Sequence, residues 1–172
     1  MARNVEIKAR IESVDAIAAT VAAMADRGPF EIQQDDTFFT CERGRMKLRV
    51  LSTTEGELIF YRRANRAGPK ESFFVVSPTA SPDSLREALS LAYGLAGRVR
   101  KHRTLYLVGR TRVHLDRVEG LGDFLELEVE LRDGEPPESG VAEADHLMAR
   151  LDISADQLVE DAYVDLLARG RA

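Results

Sequence analysis

The chain has 172 residues, which is the size of one domain, and 44% of them are hydrophobic while 31% are charged. This balance is typical of a soluble globular protein and excludes a disordered or fibrous chain. A net charge of −5 does not support a general nucleic-acid-binding surface, and no stretch approaches the ~18 consecutive apolar residues that a membrane helix needs.

The single cysteine, Cys41, excludes an intrachain disulfide and fits a reducing compartment. An alanine-rich run at residues 16–25 has the length of a signal-peptide core, but Glu6, Glu12 and Asp15 stand where a signal needs basic charge. We therefore expect a cytoplasmic protein with no membrane partner and no nucleic-acid partner.

The first half of the chain predicts one strand, one helix and then four more strands. Residues 4–11 alternate between apolar and polar side chains, which is typical of a strand with one apolar face. Ser13 is a suitable N-cap for a helix that continues to about Asp26 and ends before Gly28-Pro29. Glycine-containing turns separate the four following strands and make them antiparallel. These strands are predicted at residues 35–41, 45–51, 57–64 and 72–77.

The second half predicts a helix, three strands and two final helices. Ser81-Pro82-Asp83 begins the helix, and Gly94 lies near its end. The strands are predicted at residues 98–108, 111–118 and 123–132, and the final helices at 141–151 and 155–168. The prediction is thus one domain over residues 1–172, with eight strands and four helices.

Formal charge occupies alternate positions on one face of five of these strands. The charged positions are Glu6 and Lys8; Lys47 and Arg49; Lys101 and Arg103; Arg112, His114 and Asp116; Glu126, Glu128 and Glu130. Solvent-facing strands usually mix charge with Ser, Thr and Gln. Eight antiparallel strands are enough to close into a barrel, so the pattern favours an α+β fold in which a closed eight-stranded antiparallel β-barrel holds these groups inside and helices pack outside. The alternative is a solvated sheet with ordinary salt bridges.

The signs of these charges suggest a ligand, because dense like charges need counter-charges, metal or ligand among them. Carboxylates at Glu6, Asp116, Glu126 and Glu128 are hard oxygen donors suited to Mg²⁺ or Mn²⁺. The basic side chains suit phosphate oxygens: Lys8, Lys47, Arg49, Arg62, Lys101, Arg103 and Arg112. The residues alone therefore favour a metal–polyphosphate site. The sequence has no Walker or Rossmann glycine motif, so the phosphates are not expected at a helix N-terminus.

Several of these residues fall in ordered motifs that span nearly the whole chain. The motifs are Asn4-Val5-Glu6-Ile7-Lys8, Asp36-Thr37-Phe38-Phe39, Gly44-Arg45-Met46-Lys47-Leu48-Arg49, Phe60-Tyr61-Arg62-Arg63, Lys101-x-Arg103, His114-Leu115-Asp116, Gly120-Leu121-Gly122-x-Phe124-Leu125-Glu126-Leu127-Glu128 and Ala162-Tyr163-Val164-Asp165-Leu166-Leu167. In this order they resemble the CYTH family, also called triphosphate tunnel metalloenzymes, which includes class IV adenylate cyclases and thiamine triphosphatases. The family opens with Glu-x-Glu-x-Lys, and Asn4 replaces the first acid here.

The resemblance implies a role for each matching residue. Glu6, Glu126 and Glu128 would bind Mg²⁺ or Mn²⁺ and, with Lys8, would be catalytic. Asp116 and Asn4 are further candidate ligands, although an amide oxygen brings no charge and would weaken one of two metal sites. The implied triphosphate-binding residues are Lys8, Lys47, Arg49, Arg62, Lys101, Arg103 and Arg112.

Three other residues have two interpretations each. Lys70 is predicted to bind substrate from a loop that closes over one mouth of the barrel, but an ordinary solvated hairpin fits as well. His114 would be a general acid or base, or a hydrogen-bonding wall residue, and we favour the wall. Tyr163 would contact the ligand or pack its helix as an aromatic, and we favour helix packing.

The function that the resemblance implies is a class IV adenylate cyclase-like conversion of ATP to cyclic AMP and pyrophosphate. One alternative is an inorganic or thiamine triphosphatase that releases orthophosphate. Another is a non-catalytic domain that binds polyphosphate or nucleotide. In each case the partner is a small-molecule triphosphate. The sequence does not decide whether the protein also forms a homodimer.

Overall fold

Eight antiparallel strands close into one barrel in the computed structural model, which describes residues 2–64 and 66–170. Around the barrel the order is β1-β5-β4-β3-β2-β6-β7-β8. The strands are β1 Ala2–Arg10, β2 Arg27–Phe39, β3 Arg45–Ser52, β4 Glu55–Arg63, β5 Lys70–Thr79, β6 Leu95–Val108, β7 Thr111–Val118 and β8 Gly122–Glu130. The helices are α1 Val14–Met24, α2 Pro82–Tyr93, α3 Pro137–Arg150 and α4 Tyr163–Arg169. The predicted closed α+β barrel is therefore confirmed.

The main hydrophobic core lies outside the barrel. Leu115, Leu125 and Leu127 are fully buried on the outer face of β7 and β8, where they pack with Val21 of α1 and Leu147 of α3. Because side chains alternate between the two faces of a strand, this apolar outer face leaves the intervening polar residues to point inward. Burial of the outer apolar face against helices therefore fixes which side chains line the interior.

Two strands begin three or more residues earlier than the sequence predicts. β2 begins at Arg27 instead of residue 35, and β6 begins at Leu95 instead of residue 98. The added part of β2 pairs with β6 alone, from Phe30 opposite Leu105 to Gln34 opposite Lys101. Its side chains are mostly exposed, so it lacks the apolar alternation by which a strand is recognised.

The prediction of a helix over residues 155–168 is wrong in its first half. A 3₁₀ turn at Ala155–Gln157 is followed by an extended segment, residues 158–162, before α4 begins. This segment, here called the C-terminal crossing, bridges to β1 through Leu158 and Ala9, and the Val159 N–H donates to the Lys8 carbonyl at 2.9 Å. These backbone hydrogen bonds to a distant strand outweigh the local helix preference.

The C-terminal crossing leads into an aromatic cluster at one end of the barrel interior. Tyr163 meets Phe124 edge to face, with ring centroids 4.9 Å apart, and Phe38 and Val99 pack in the same cluster. No helix within the described residues is long and apolar enough to cross a membrane.

Candidate active site

The barrel encloses a cavity of about 210 Å³ lined by side chains from β1 to β6 and β8 and by the start of α4. Six basic side chains face it: Lys8, Lys47, Arg49, Arg63, Lys101 and Arg103. Five acidic side chains also face it: Glu6, Asp36, Glu57, Glu126 and Glu128. Eight of the charged residues that the sequence singled out, on β1, β3, β6 and β8, are therefore brought together around one cavity.

Asp36 organises the cations of one wall. Its buried carboxylate accepts from Lys47 Nζ at 3.2 Å and from the Arg49 guanidinium at 2.8 and 2.9 Å, and Lys101 Nζ lies 3.6 Å away. Burial by itself would raise the pKa of Asp36, but Arg49, Lys47 and Lys101 outweigh burial and hold that pKa well below its usual range. One carboxylate thus positions three cations, and this cluster, here called the cationic wall, keeps a positive excess.

The lysines of the cavity are poorly solvated. Burial, reinforced by repulsion from Arg49, lowers the pKa of Lys47 to about 7 against the attraction of Asp36. Burial also lowers the pKa of Lys8 to about 8, although Glu126 works in the opposite direction. An anion placed beside either lysine would stabilise its ammonium form, because a nearby negative charge favours protonation.

Arg103 has a separate anchor. Its guanidinium donates two bonds of 2.7 Å to Asp116, and the Tyr163 hydroxyl donates to the same carboxylate at 2.8 Å. Asp116 is fully buried, lies opposite Arg103 in the β6–β7 register and does not line the cavity. The structure therefore does not support Asp116 as a metal ligand. Its carboxylate orients Arg103 and Tyr163 instead.

Three of the remaining carboxylates, Glu6, Glu126 and Glu128, gather on β1 and β8. Glu6 lies opposite Glu128, and Lys8 lies opposite Glu126, whose other neighbour is His114 on β7. Single ligand atoms of His114, Glu126 and Glu128 all lie within 4.8 Å of one another. Cross-strand register thus creates an acidic cluster, defined here as Glu6, Glu126, Glu128 and His114.

The members of the acidic cluster differ in how well they are compensated. Glu126 has Arg103 at 3.6 Å and Lys8 at 3.9 Å, and these cations overcome burial and hold its pKa well below the usual range. Glu6 is paired with Arg63. Burial and then repulsion from Glu6 raise the pKa of Glu128. Glu128 is thus the carboxylate that most needs a further cation.

His114 and Asn4 add buried polar atoms without partners. Within the described part of the chain, both ring nitrogens of His114 and Oδ1 of Asn4 have no hydrogen-bond partner. Burial lowers the pKa of His114 well below its usual value, so the ring is neutral and carries a free lone pair. Two carboxylates and an imidazole whose ligand atoms lie within 4.8 Å of one another are a donor set that fits a divalent cation. His114 is buried on the inward face of β7 but is not among the described residues that line the cavity, and the hydrogen bonds expected of a wall residue are not made.

Arg62 was predicted to face the site, and it does not. Its guanidinium is exposed on the outer surface over the Phe60 ring, whereas the next residue, Arg63, lines the cavity and pairs with Glu6. The prediction was one residue out of register on β4. The alternation of Tyr61 and Arg63 carries the signal that would have located the right arginine.

Arg112 and Lys70 also differ from their predicted positions. Arg112 shares the inward face of β7 and lies opposite Glu128, but it is exposed and does not line the cavity. Lys70 is buried, and its Nζ donates to the backbone carbonyls of Arg66 at 2.9 Å and Glu160 at 3.0 Å. Lys70 thus ties the β4–β5 loop to the C-terminal crossing and is not placed to bind a ligand.

Tyr163 does more than pack its helix. Lys8 Nζ lies 3.9 Å from the centre of the Tyr163 ring and donates to the Asp161 carbonyl at 3.2 Å, while Lys101 Nζ lies 5.0 Å from the same ring. These cation–π contacts and the hydroxyl bond to Asp116 make Tyr163 part of the cavity. Sequence reasoning favoured helix packing over a ligand contact for Tyr163, because the contacts that place it in the cavity join opposite ends of the chain.

Replacing Asp36 by Asn is expected to destabilise the protein by roughly 3–5 kcal/mol, because three buried cations lose their counter-charge. Asp35→Asn is the matched control. Its carboxylate pairs with Arg98 and Arg100 on the partly exposed outer face, where such pairs contribute about 1 kcal/mol or less. Urea unfolding at pH 7 measures both values.

The stability that Asp36 contributes should be lost at acidic pH. Because the pKa of Asp36 is depressed in the folded state, its contribution is present above the ordinary value of 3.8 and is lost as the pH falls below it. Wild type should therefore lose more stability than Asp36→Asn between pH 5 and about 3. Equal destabilisation by the two substitutions at positions 35 and 36 would contradict the assigned role of Asp36.

Comparison with known proteins agrees with this architecture. The family model of the CYTH domain matches residues 2–163. The chain is 27% identical over 167 residues to adenylate cyclase CyaB of Aeromonas hydrophila, covering 93% of this chain and 86% of that protein. It superposes on PH1012 of Pyrococcus horikoshii OT3 with a TM-score of 0.84 at 21% identity, covering 95% and 98% of the two chains. It superposes on HpAC1 of Hippeastrum with a TM-score of 0.69 at 14% identity, covering 99% and 96%. From the family match over nearly its whole length, the chain belongs to the CYTH family.

Proposed function

We propose that this protein is a metal-dependent enzyme that acts on a small-molecule triphosphate inside the barrel. Its proposed activity is class IV adenylate cyclase-like, converting ATP to cyclic AMP and pyrophosphate. The observation that carries the proposal is a cationic wall and an acidic cluster facing one enclosed cavity. The family match and the similarity to CyaB support the same reaction class.

The basic residues are proposed to hold the phosphates. Arg49 and Arg103 are each fixed by a carboxylate before any ligand arrives, so little ordering of these side chains is needed on binding. Lys47, Lys101 and Arg63 add charge around the same space. Fixed donors of this kind stabilise charge that moves onto a departing pyrophosphate without reorganisation during the reaction.

The acidic cluster is proposed to hold Mg²⁺ or Mn²⁺ through Glu126 and Glu128, with Glu6 and Asn4 nearby. Such an ion, when bound, lowers the pKa of an attacking hydroxyl and neutralises charge at phosphorus. Lys8 lies between the two charged regions, 3.9 Å from Glu126, and is proposed to bind a phosphate oxygen next to the acidic cluster.

The size of the cavity favours a second candidate, a triphosphatase that releases orthophosphate from tripolyphosphate or thiamine triphosphate. About 210 Å³ is less than the roughly 300–1,000 Å³ typical of small-molecule pockets, so phosphates fit inside more readily than a whole nucleotide. The structure of HpAC1 is described as revealing a dominant triphosphatase activity in that protein. Since Asn4 lacks the charge of an acid, binding without turnover is the third outcome to be tested.

The products decide among these candidates. Purified protein with Mg²⁺ or Mn²⁺ is offered ATP and tripolyphosphate in parallel reactions. Cyclic AMP with pyrophosphate supports the cyclase, orthophosphate supports the triphosphatase, and tight binding without either product supports a binding domain.

Glu128→Gln should abolish turnover, whereas Glu130→Gln, two residues along β8 and exposed, should leave it near wild type. Full activity in Glu128→Gln would exclude that carboxylate from catalysis.

Two adjacent arginines test which face of β4 binds the ligand. Arg63→Ala should weaken tripolyphosphate binding by roughly 10–100-fold, because a charge-assisted hydrogen bond contributes about 1.5–3 kcal/mol. Arg62→Ala, on the outer surface, should change the affinity less than about twofold. Titration calorimetry measures both constants. Equal losses in the two variants would mean that general charge, rather than the cavity, determines binding.

Binding should take up protons above neutral pH. A bound polyanion raises the lowered pKa values of Lys47 and Lys8, so affinity should fall as the pH rises from about 8 to 10, where the phosphates are already ionised. Calorimetry of tripolyphosphate in buffers of different ionisation enthalpy counts these protons. Lys47→Arg should reduce the uptake by up to about one proton, because arginine stays charged. Binding heats that do not depend on the buffer would contradict the lowered pKa values.

A further inference from the structure

His114 is the one member of the acidic cluster to which the family resemblance gives no ligand role. The imidazole is 2% exposed, and neither ring nitrogen has a hydrogen-bond partner within the described residues. Buried polar groups nearly always have hydrogen-bond partners, so an imidazole without a partner on either nitrogen needs a physical explanation. Its position beside the carboxylates of Glu126 and Glu128 indicates what would satisfy it.

The distances in the cluster suit a single cation. Nδ1 of His114 lies 3.7 Å from Oε1 of Glu128, and both residues have a ligand atom within 4.8 Å of one on Glu126. A divalent ion with bonds of about 2.1 Å separates opposite ligands by roughly 4.2 Å and adjacent ligands by less. Side-chain movements of a few tenths of an ångström would therefore bring the three ligand atoms within bonding distance of one ion.

The charge balance at Glu128 also points to a missing cation. Among the residues that the structure describes, Glu128 has no Lys or Arg nitrogen within 4 Å, whereas Glu6 and Glu126 both do. His114 is the basic side chain nearest to Glu128 in that set. The uncompensated carboxylate and the unpartnered imidazole are thus neighbours.

We propose that His114 is an inner-sphere nitrogen ligand of this metal site, together with Glu126 and Glu128, and that it biases the site toward Mn²⁺ over Mg²⁺. The proposal deepens the proposed function and rests on its metal site. Mg²⁺ is held by oxygen ligands and dehydrates reluctantly, whereas Mn²⁺ is a first-row transition ion that also accepts an imidazole nitrogen beside carboxylate oxygens.

Electron paramagnetic resonance of Mn²⁺ bound to the full chain tests the ligand directly. The spin-echo modulation should contain a ¹⁴N coupling from imidazole, and uniform ¹⁵N-histidine labelling of the wild type should replace it. The labelling needs no substitution, so it is independent of whether a variant folds. His114→Gln should remove the coupling, while His102→Gln and His146→Gln should keep it, and circular dichroism verifies that each variant is folded.

Affinity gives a second readout. Competition of Mg²⁺ against bound Mn²⁺, followed by the free Mn²⁺ signal, should show that His114→Gln lowers the affinity for Mn²⁺ by at least about tenfold and the affinity for Mg²⁺ by less. Even groups that only support a metal ligand typically change metal affinity by roughly 10–100-fold, so loss of a ligand should do no less.

The ligand role of His114 and the metal dependence of the enzyme are contradicted by different results. Mn²⁺ that binds without ¹⁴N coupling, or with coupling that survives in His114→Gln, overturns the ligand role of His114 and leaves the metal site standing. A wild-type protein that binds no Mn²⁺, with or without tripolyphosphate, overturns the metal dependence in the proposed function and the role of His114 together.

Discussion

Compensation of charge inside a closed barrel is the constraint on which the rest of this structure depends. Basic side chains in a small cavity would repel one another strongly unless anions held them, and Asp36 and Asp116 do so for the cationic wall and for Arg103. These two buried carboxylates are structural, because both are fully engaged before any ligand is bound. They fix the guanidinium and ammonium groups in place while leaving a positive excess on one side and an uncompensated Glu128 on the other. A polyanion bound to a divalent cation complements both regions at once.

The barrel tolerates this interior because its apolar core lies elsewhere. Leu125 and Leu127 are buried between the outer surface of the barrel and the helices α1 and α3, so stability comes from the outer layer and not from packing of the inside. The C-terminal crossing and Tyr163 then complete one end of the cavity, and Lys8 and Lys70 tie that crossing to the barrel through carbonyl oxygens. The outer face of the strands thus supplies the main apolar core, and the inner face carries the charged groups, whose internal pairing through Asp36 also stabilises the fold.

The alternation of charged and apolar residues favoured the barrel over a solvated sheet, since a period of two determines which face each residue occupies. It could not determine contacts, which depend on register between strands distant in sequence. Asp116 was grouped with the acids because its pairing with Arg103 is visible only in the β6–β7 register. Arg62 was chosen over Arg63 because a shift of one residue reverses the face of a strand. Tyr163 entered the site through a segment whose extended conformation is imposed by β1, against its own helical pattern.

The free energy of unfolding, measured with either tripolyphosphate or orthophosphate present, tests the central claim most directly. Tripolyphosphate with Mn²⁺ should raise the free energy of unfolding by about 2.7 kcal/mol at a hundred times its dissociation constant. Orthophosphate at the same ionic strength should give a much smaller shift, because it spans only part of the cationic wall. Equal shifts from the two anions would show that the cavity responds to ionic strength alone and would contradict this account.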